Sequence, residues 1–228
     1  ESDNPSVYSN YGLILGKLGK LEEAEEFIYK AIKLDPDFHD AYTNMGNIKM
    51  KLGKLEEAEN LHRKAISISP DFAIAHYNLG ILLINLEELE DAAISLRKSI
   101  DISPDNATAY SSLGGVFSDL GKTKEAEILI RKAIEMNSNY ADAYLNLGII
   151  LKRLGKYNSA ISQFRKAIEL DNSLSEAKSA LIDIQGLICD WSESKLYSSW
   201  FNISEALSYV PAQGENAANI EEHVLLRL

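Results

Sequence analysis

The chain has 228 residues, 46% apolar and 25% charged, the balance of a folded protein rather than a disordered one. No apolar run approaches the roughly 18 residues of a membrane helix, and a single cysteine, Cys189, excludes a disulfide framework and a cysteine-based zinc knuckle. Lys and Arg total 23 against 34 Asp and Glu, for a net charge of −11, which disfavours nucleic acid as a partner because phosphate binding needs a basic stripe.

Compared with itself at an offset of 34, most of the chain aligns. Gly12, Gly46, Gly80, Gly114 and Gly148 share one column, and Ala24, Ala58, Ala92, Ala126 and Ala160 share another. A third reads Ala31, Ala65, Ser99, Ala133 and Ala167, and Tyr8, Tyr42, His76, Tyr110 and Tyr144 open the units. The columns define five units, at 5–38, 39–72, 73–106, 107–140 and 141–174.

Each unit reads as two helices. Helix A covers about the first 14 positions and helix B about positions 16–30, each with apolar residues near helical spacing. Gly19, Gly53, Gly121 and Gly155 fall between the helices, where a left-handed residue ends helix A. Glu87 holds that place in the third unit, predicting a turn that is more strained or differently shaped. Pro36, Pro70 and Pro104 stop helix B before the next helix A. The glycine and alanine columns mark close helix approaches, where larger side chains would overpack.

These columns, most fully "AYLNLGIILKRLGKYNSAISQFRKAIELD" at 143–171, resemble the tetratricopeptide repeat family. The resemblance implies an all-α solenoid, a right-handed superhelix of antiparallel helix pairs whose A helices form a concave wall. In the family, positions 2, 5, 6, 9, 12 and 13 of helix A tend to face that groove. Here those positions carry Lys17, Lys51, Lys152 and Arg153 against Asp40, Asp119 and Asp142, a groove of +1 in a chain of −11.

Position 6 reads Asn10, Asn44, Asn78, Ser112 and Asn146. A carboxamide both donates and accepts, so such a ladder suits the backbone of an extended peptide. It resembles the asparagine ladder of O-linked N-acetylglucosamine transferases. The competing reading has each asparagine bonding to the neighbouring unit's backbone and fixing the stacking. The expected peptide-binding residues are Asn10, Asn44, Asn78, Asn146, Tyr77, Asn47, Lys51, Asn85, Lys152 and Arg153. The lysine by which chaperone-docking members clamp a carboxylate is missing; Thr43 stands there in "TNMGN".

Beyond the units, residues 175–189 keep Ala177 and Leu181 in phase and read as a capping helix. Residues 190–210 read as an amphipathic helix with Leu196, Trp200, Ile203 and Leu207 on one face. Residues 211–228 read as a linker and a short tail helix, expected to dock on the array or on a second copy. Cys189-Asp190-Trp191 resembles a triplet that follows the last repeat helix in O-linked N-acetylglucosamine transferase-like proteins. The chain opens on Glu1 rather than Met, an opening compatible with further repeats ahead of Ser2, and shows no signal-peptide pattern.

Chemistry-bearing motifs are few. His39, His62, His76 and His223 lack metal-ligand spacing and read as surface or packing residues. "GLILGK" at 12–17 falls inside helix A and lacks the spacing of a phosphate loop. The expectation is a cytoplasmic, non-enzymatic interaction scaffold with no cofactor and no metal, holding a protein or peptide in its groove. It involves no nucleic acid or membrane, and the tail offers a route to self-association. The alternative is the substrate-recruiting arm of a larger glycosyltransferase whose catalytic region is absent here.

Overall fold

A computed structural model describes residues 3–187, which form eleven helices and no strand. They come in pairs: α1 (Pro5–Lys17) with α2 (Leu21–Leu34), α3 (His39–Lys51) with α4 (Leu55–Ile68), and α5 (Ala73–Asn85) with α6 (Leu89–Ile102). Then follow α7 (Ala107–Asp119) with α8 (Thr123–Met136), α9 (Ala141–Arg153) with α10 (Tyr157–Leu170), and α11 (Ser175–Leu187). The chain divides into two units, Glu1–Ile182 and Asp183–Leu228. Of the second, only the end of α11 is described. The amphipathic helix expected at 190–210 and the linker and tail at 211–228 lie outside the described residues.

The turn inside each pair is set by one backbone conformation. Gly19, Gly53, Gly121 and Gly155 have φ between 71° and 79°. At the second turn, Gly53 N–H bonds to Met50 C=O and Lys54 N–H to Lys49 C=O, the paired bonds that close a helix on a left-handed residue. Glu87 adopts φ 62°, and the same two bonds form, from Glu87 to Ile84 and from Glu88 to Leu83. The third turn therefore keeps the shape of the others and carries the strain of a side chain in the left-handed region.

Helices within a pair meet through the small-residue columns. Ala24, Ala58, Ala92, Ala126 and Ala160 have no solvent exposure. A β-carbon on Gly12, Gly80, Gly114 or Gly148 would fall 2.4–2.7 Å from the side chain sixteen residues on, namely Ile28, Leu96, Ile130 and Phe164 in turn. At Gly46 the facing residue is His62.

The second pair thus buries two polar groups where its counterparts bury apolar ones. His62 is fully buried, and among the described residues neither ring nitrogen has a hydrogen-bond partner. Burial lowers its pKa from 6.5 to about 4, keeping the ring neutral. Lys49 stands where Leu15, Leu83, Phe117 and Leu151 stand in the other A helices. It is also buried, with Nζ 2.7 Å from carboxylate oxygens of both Glu25 and Glu57. Burial alone would lower the Lys49 pKa, but the hydrogen bonds and charges of the two glutamates outweigh it and raise the value.

Among α1–α10, each A helix touches the next A helix, whereas successive B helices do not touch. The stack therefore bends with its A helices on the inside. The inner wall is built from α1, α3, α5, α7 and α9.

Candidate functional site

Residues on the inner wall are divided between holding the stack together and facing outward. Asn44 Nδ2 donates to Ser9 Oγ at 2.9 Å, and Asn146 Nδ2 to Ser111 Oγ at 3.3 Å. Both bonds join a position-6 asparagine to the position-5 serine one unit earlier, 35 residues back. The partner is thus a neighbouring side chain rather than a neighbouring backbone. Each bond uses a donor and leaves the carboxamide oxygen available.

Asn78 differs because Thr43 holds the place of that serine. Thr43 Oγ1 is committed to its own helix, donating to His39 C=O at 3.1 Å. Among the described residues Asn78 has no hydrogen-bond partner, and it is half-buried on α5. Asn10 is exposed on α1, Asn47 half-buried on α3, Asn85 exposed at the end of α5, and Lys152 half-buried on α9.

The cations follow the same division. Lys51 Nζ donates to Gly16 C=O at 2.8 Å, 35 residues earlier. Arg153 Nη1 donates to Ser118 C=O at 2.7 Å and to Ser118 Oγ at 2.6 Å, while Nη2 reaches Asp119 Oδ1 at 3.2 Å. Both cations sit against the carbonyl end of the preceding A helix, where positive charge is favoured.

At the centre of the wall, α5 has a different surface. Ile74 is exposed, and Ile81 and Ile84 are half-buried, so Asn78 lies in an apolar strip with Tyr77 beside it. On the adjacent α7, a β-carbon at Gly115 would meet no atom of the described residues within 4 Å, leaving backbone open to close approach. Tyr140 adds a group that sequence periodicity does not single out. Burial raises its pKa above 10, neighbouring Tyr77 and Asp142 adding to the effect, while hydrogen-bonding interactions with Ser111 and Thr108 oppose it. The phenol thus lies near Tyr77 of the third unit, Thr108 and Ser111 of its own unit and Asp142 of the fifth.

A separate hollow of about 360 Å³ between α2 and α3 is lined by Glu22, Glu25, Glu26, Tyr29 and Met45. It presents carboxylates, and Glu25 is engaged by Lys49. Among the described residues no cluster of three or more His, Cys, Asp or Glu is arranged to hold a metal, and no helix is long and apolar enough to cross a membrane.

Family models for the tetratricopeptide repeat match residues 5–38, 73–106, 107–140 and 141–174, and others match 27–60 and, as a TPR repeat, 46–87. The chain is a tetratricopeptide repeat protein. Its fold is the all-α repeat array, a protein-interaction scaffold that is generally non-catalytic.

Several solved structures are similar to the chain over most of their own length. YrrB, described as a TPR protein with an unusual peptide-binding site, is 25% identical with a TM-score of 0.61, over 78% of this chain and 92% of that one. MamA is 25% identical with a TM-score of 0.62, over 71% and 94%. PilF of Pseudomonas aeruginosa has a TM-score of 0.77 over 85% and 88%, and at 20% identity it shows the fold alone. No curated protein matches the chain.

Proposed function

We propose that this tetratricopeptide array binds an extended peptide segment across its inner wall, centred on α5. The observation that carries the reading is Asn78, whose whole carboxamide is left over while Asn44 and Asn146 have given their donors to the stack. A carboxamide with both functions available can pair with the N–H and C=O of one peptide residue, fixing the chain without reading its side chains. The apolar strip supplies the selectivity. Ile74, Asn78 and Ile81 follow one helical face, so a peptide held at Asn78 lays apolar side chains on the two isoleucines. The open backbone at Gly115 admits close approach beside them.

Tyr77 and Asn85 complete this central site. Asn10, Asn47 and Lys152 extend it along the wall. Asn44, Asn146, Lys51 and Arg153 contribute through whatever polar atoms their stacking bonds leave over. The likeness to YrrB, a protein with a peptide-binding site, supports a peptide as the class of ligand.

The test is selection of peptides from a display library by the full chain, followed by calorimetric titration of the best binder. Asn78→Ala should weaken it about 3- to 10-fold, the worth of one or two hydrogen bonds. Ile74→Lys should weaken it further, while Ile128→Glu, a change of an exposed residue on α8, should leave it unchanged. Binding that survives both inner-wall changes and is lost in the α8 variant would move the site to the outer face.

A further inference from the structure

The outer side of α1 carries a stripe that the rest of the array never leaves open. Val7, Tyr11, Ile14 and Leu18, spaced four, three and four residues apart along one face, are 51%, 48%, 55% and 70% exposed. Their counterparts one unit on are Ala41, Met45, Ile48 and Leu52. The first three of these are buried in the cluster built around Ala24, Ile28 and Ala31 of the preceding pair, and Leu52 packs against it. The pattern persists: at the place of Val7, Ala75, Ala109 and Ala143 have no exposure, and at the place of Ile14, Leu82, Val116 and Ile150 are buried.

Polar groups on α1 match as well. Asn10 corresponds to Asn44 and Asn146, each bonded to a serine of the preceding unit. Lys17 corresponds to Lys51 and Arg153, each bonded to a carbonyl at the end of the preceding A helix. Both Asn10 and Lys17 are exposed. The entry to α1 completes the correspondence. Asn4 caps the helix by accepting from Ser6 N–H, as Asn106 caps α7 by accepting from Thr108 and Ala109 N–H. Asp3-Asn4 repeats the Asp105-Asn106 that joins the third unit to the fourth.

We propose that this face of α1 is a stacking face whose occupant is one further tetratricopeptide helix pair, joined in register through the turn at Asp3 and Asn4. That pair presents a serine at position 5 to Asn10 and the carbonyl end of its A helix to Lys17. It covers Val7, Tyr11, Ile14 and Leu18 as the first pair covers Ala41, Met45, Ile48 and Leu52. An amphipathic helix of unrelated origin would bury the apolar stripe but would not supply the two polar partners in register.

The experiment grafts a copy of residues 107–138, which carry Ser111 and Ser118, directly ahead of Asp3 in the full chain, so that Asp3 and Asn4 complete the period. Hydrogen exchange, melting and sedimentation are then compared with the ungrafted chain. Amides of α1 should exchange at least about tenfold more slowly in the graft, approaching those of α3, and the melt should remain a single transition at higher Tm. Ile14→Lys should leave the ungrafted chain's melt unchanged, because Ile14 is exposed there, and should abolish the extra protection in the graft. Unchanged α1 exchange, or a graft that melts apart from the array, overturns the proposal. It is also overturned if the ungrafted chain is a dimer that Ile14→Lys dissociates, which would make a second copy the occupant.

Discussion

Gly46 faces the ring of His62 so closely that a β-carbon on the glycine would lie 2.6 Å from Cε1, 2.8 Å from Nε2 and 2.9 Å from Nδ1. The ring is fully buried. Gly46→Ala is therefore expected to lower stability by about 1–3 kcal/mol, as overpacking does, measured as a lower urea midpoint.

The same ring gives the fold a dependence on pH. Above about pH 6.5 His62 is neutral whether the chain is folded or not. As pH falls from there to about 4, the unfolded chain takes up a proton that the buried ring refuses, so stability is progressively lost. Below the folded value both states are protonated and the loss levels off, at about 3 kcal/mol in all. His62→Leu places the side chain of Leu96 in the equivalent site and should remove this contribution. Urea titrations of both proteins near pH 7.5 and near pH 5 should show the variant's advantage growing toward the acid side. An advantage independent of pH would mean that the ring is solvated in the folded chain and binds its proton there as readily as in the unfolded one.

The third turn offers a gain. Glu87 holds φ 62°, where its counterparts are glycines. Glu87→Gly relieves a strain of about 1–2 kcal/mol and costs some unfolded-chain entropy, for an expected net gain of about 0.5–1 kcal/mol. Thermal melting would read this directly; a lower Tm would show that the entropy term dominates.

Lys49 is held by two glutamates in a column that is otherwise leucine and phenylalanine. Glu25 and Glu57 are themselves partly exposed and keep their hydration when the lysine is removed. Lys49→Leu is accordingly expected to be neutral or stabilising. The double change Glu25→Gln, Glu57→Gln should instead lower Tm, because it leaves a buried ammonium without carboxylates. The reverse order of stabilities would show that the triad, and not apolar packing, organises that junction.

Much of this architecture is open to inspection in the amino-acid order. The glycine column at Gly12 and the alanine column at Ala24 announce where helices touch, because only small residues tolerate that distance. The left-handed glycines announce where they turn. The inner wall is harder to read. Asn44 and Asn78 occupy the same position of the repeat, and what separates them is the residue 35 places earlier, Ser9 in one case and Thr43 in the other. A serine or threonine hydroxyl chooses between its own helix and the neighbouring one by packing, which periodicity does not encode. His62 and Lys49 escape for a related reason: a polar residue in an apolar column is tolerated according to what distant segments bring to it, and Lys49 depends on glutamates from two other helices.

The bonds between units are unevenly distributed along the array. Among the described residues, side-chain bonds between neighbouring pairs gather at the first junction, through Asn44, Lys49 and Lys51, and at the last, through Asn146, Arg153 and Lys156. The two central junctions rely on apolar packing, a His76–Pro70 contact within a connecting turn, and the Arg97 guanidinium over the Phe117 ring. Directional bonds fix an angle, whereas apolar surfaces slide at little cost. The two outer junctions are therefore set in angle by directional bonds, and the two on either side of α5 by side-chain packing with a single cation–ring contact.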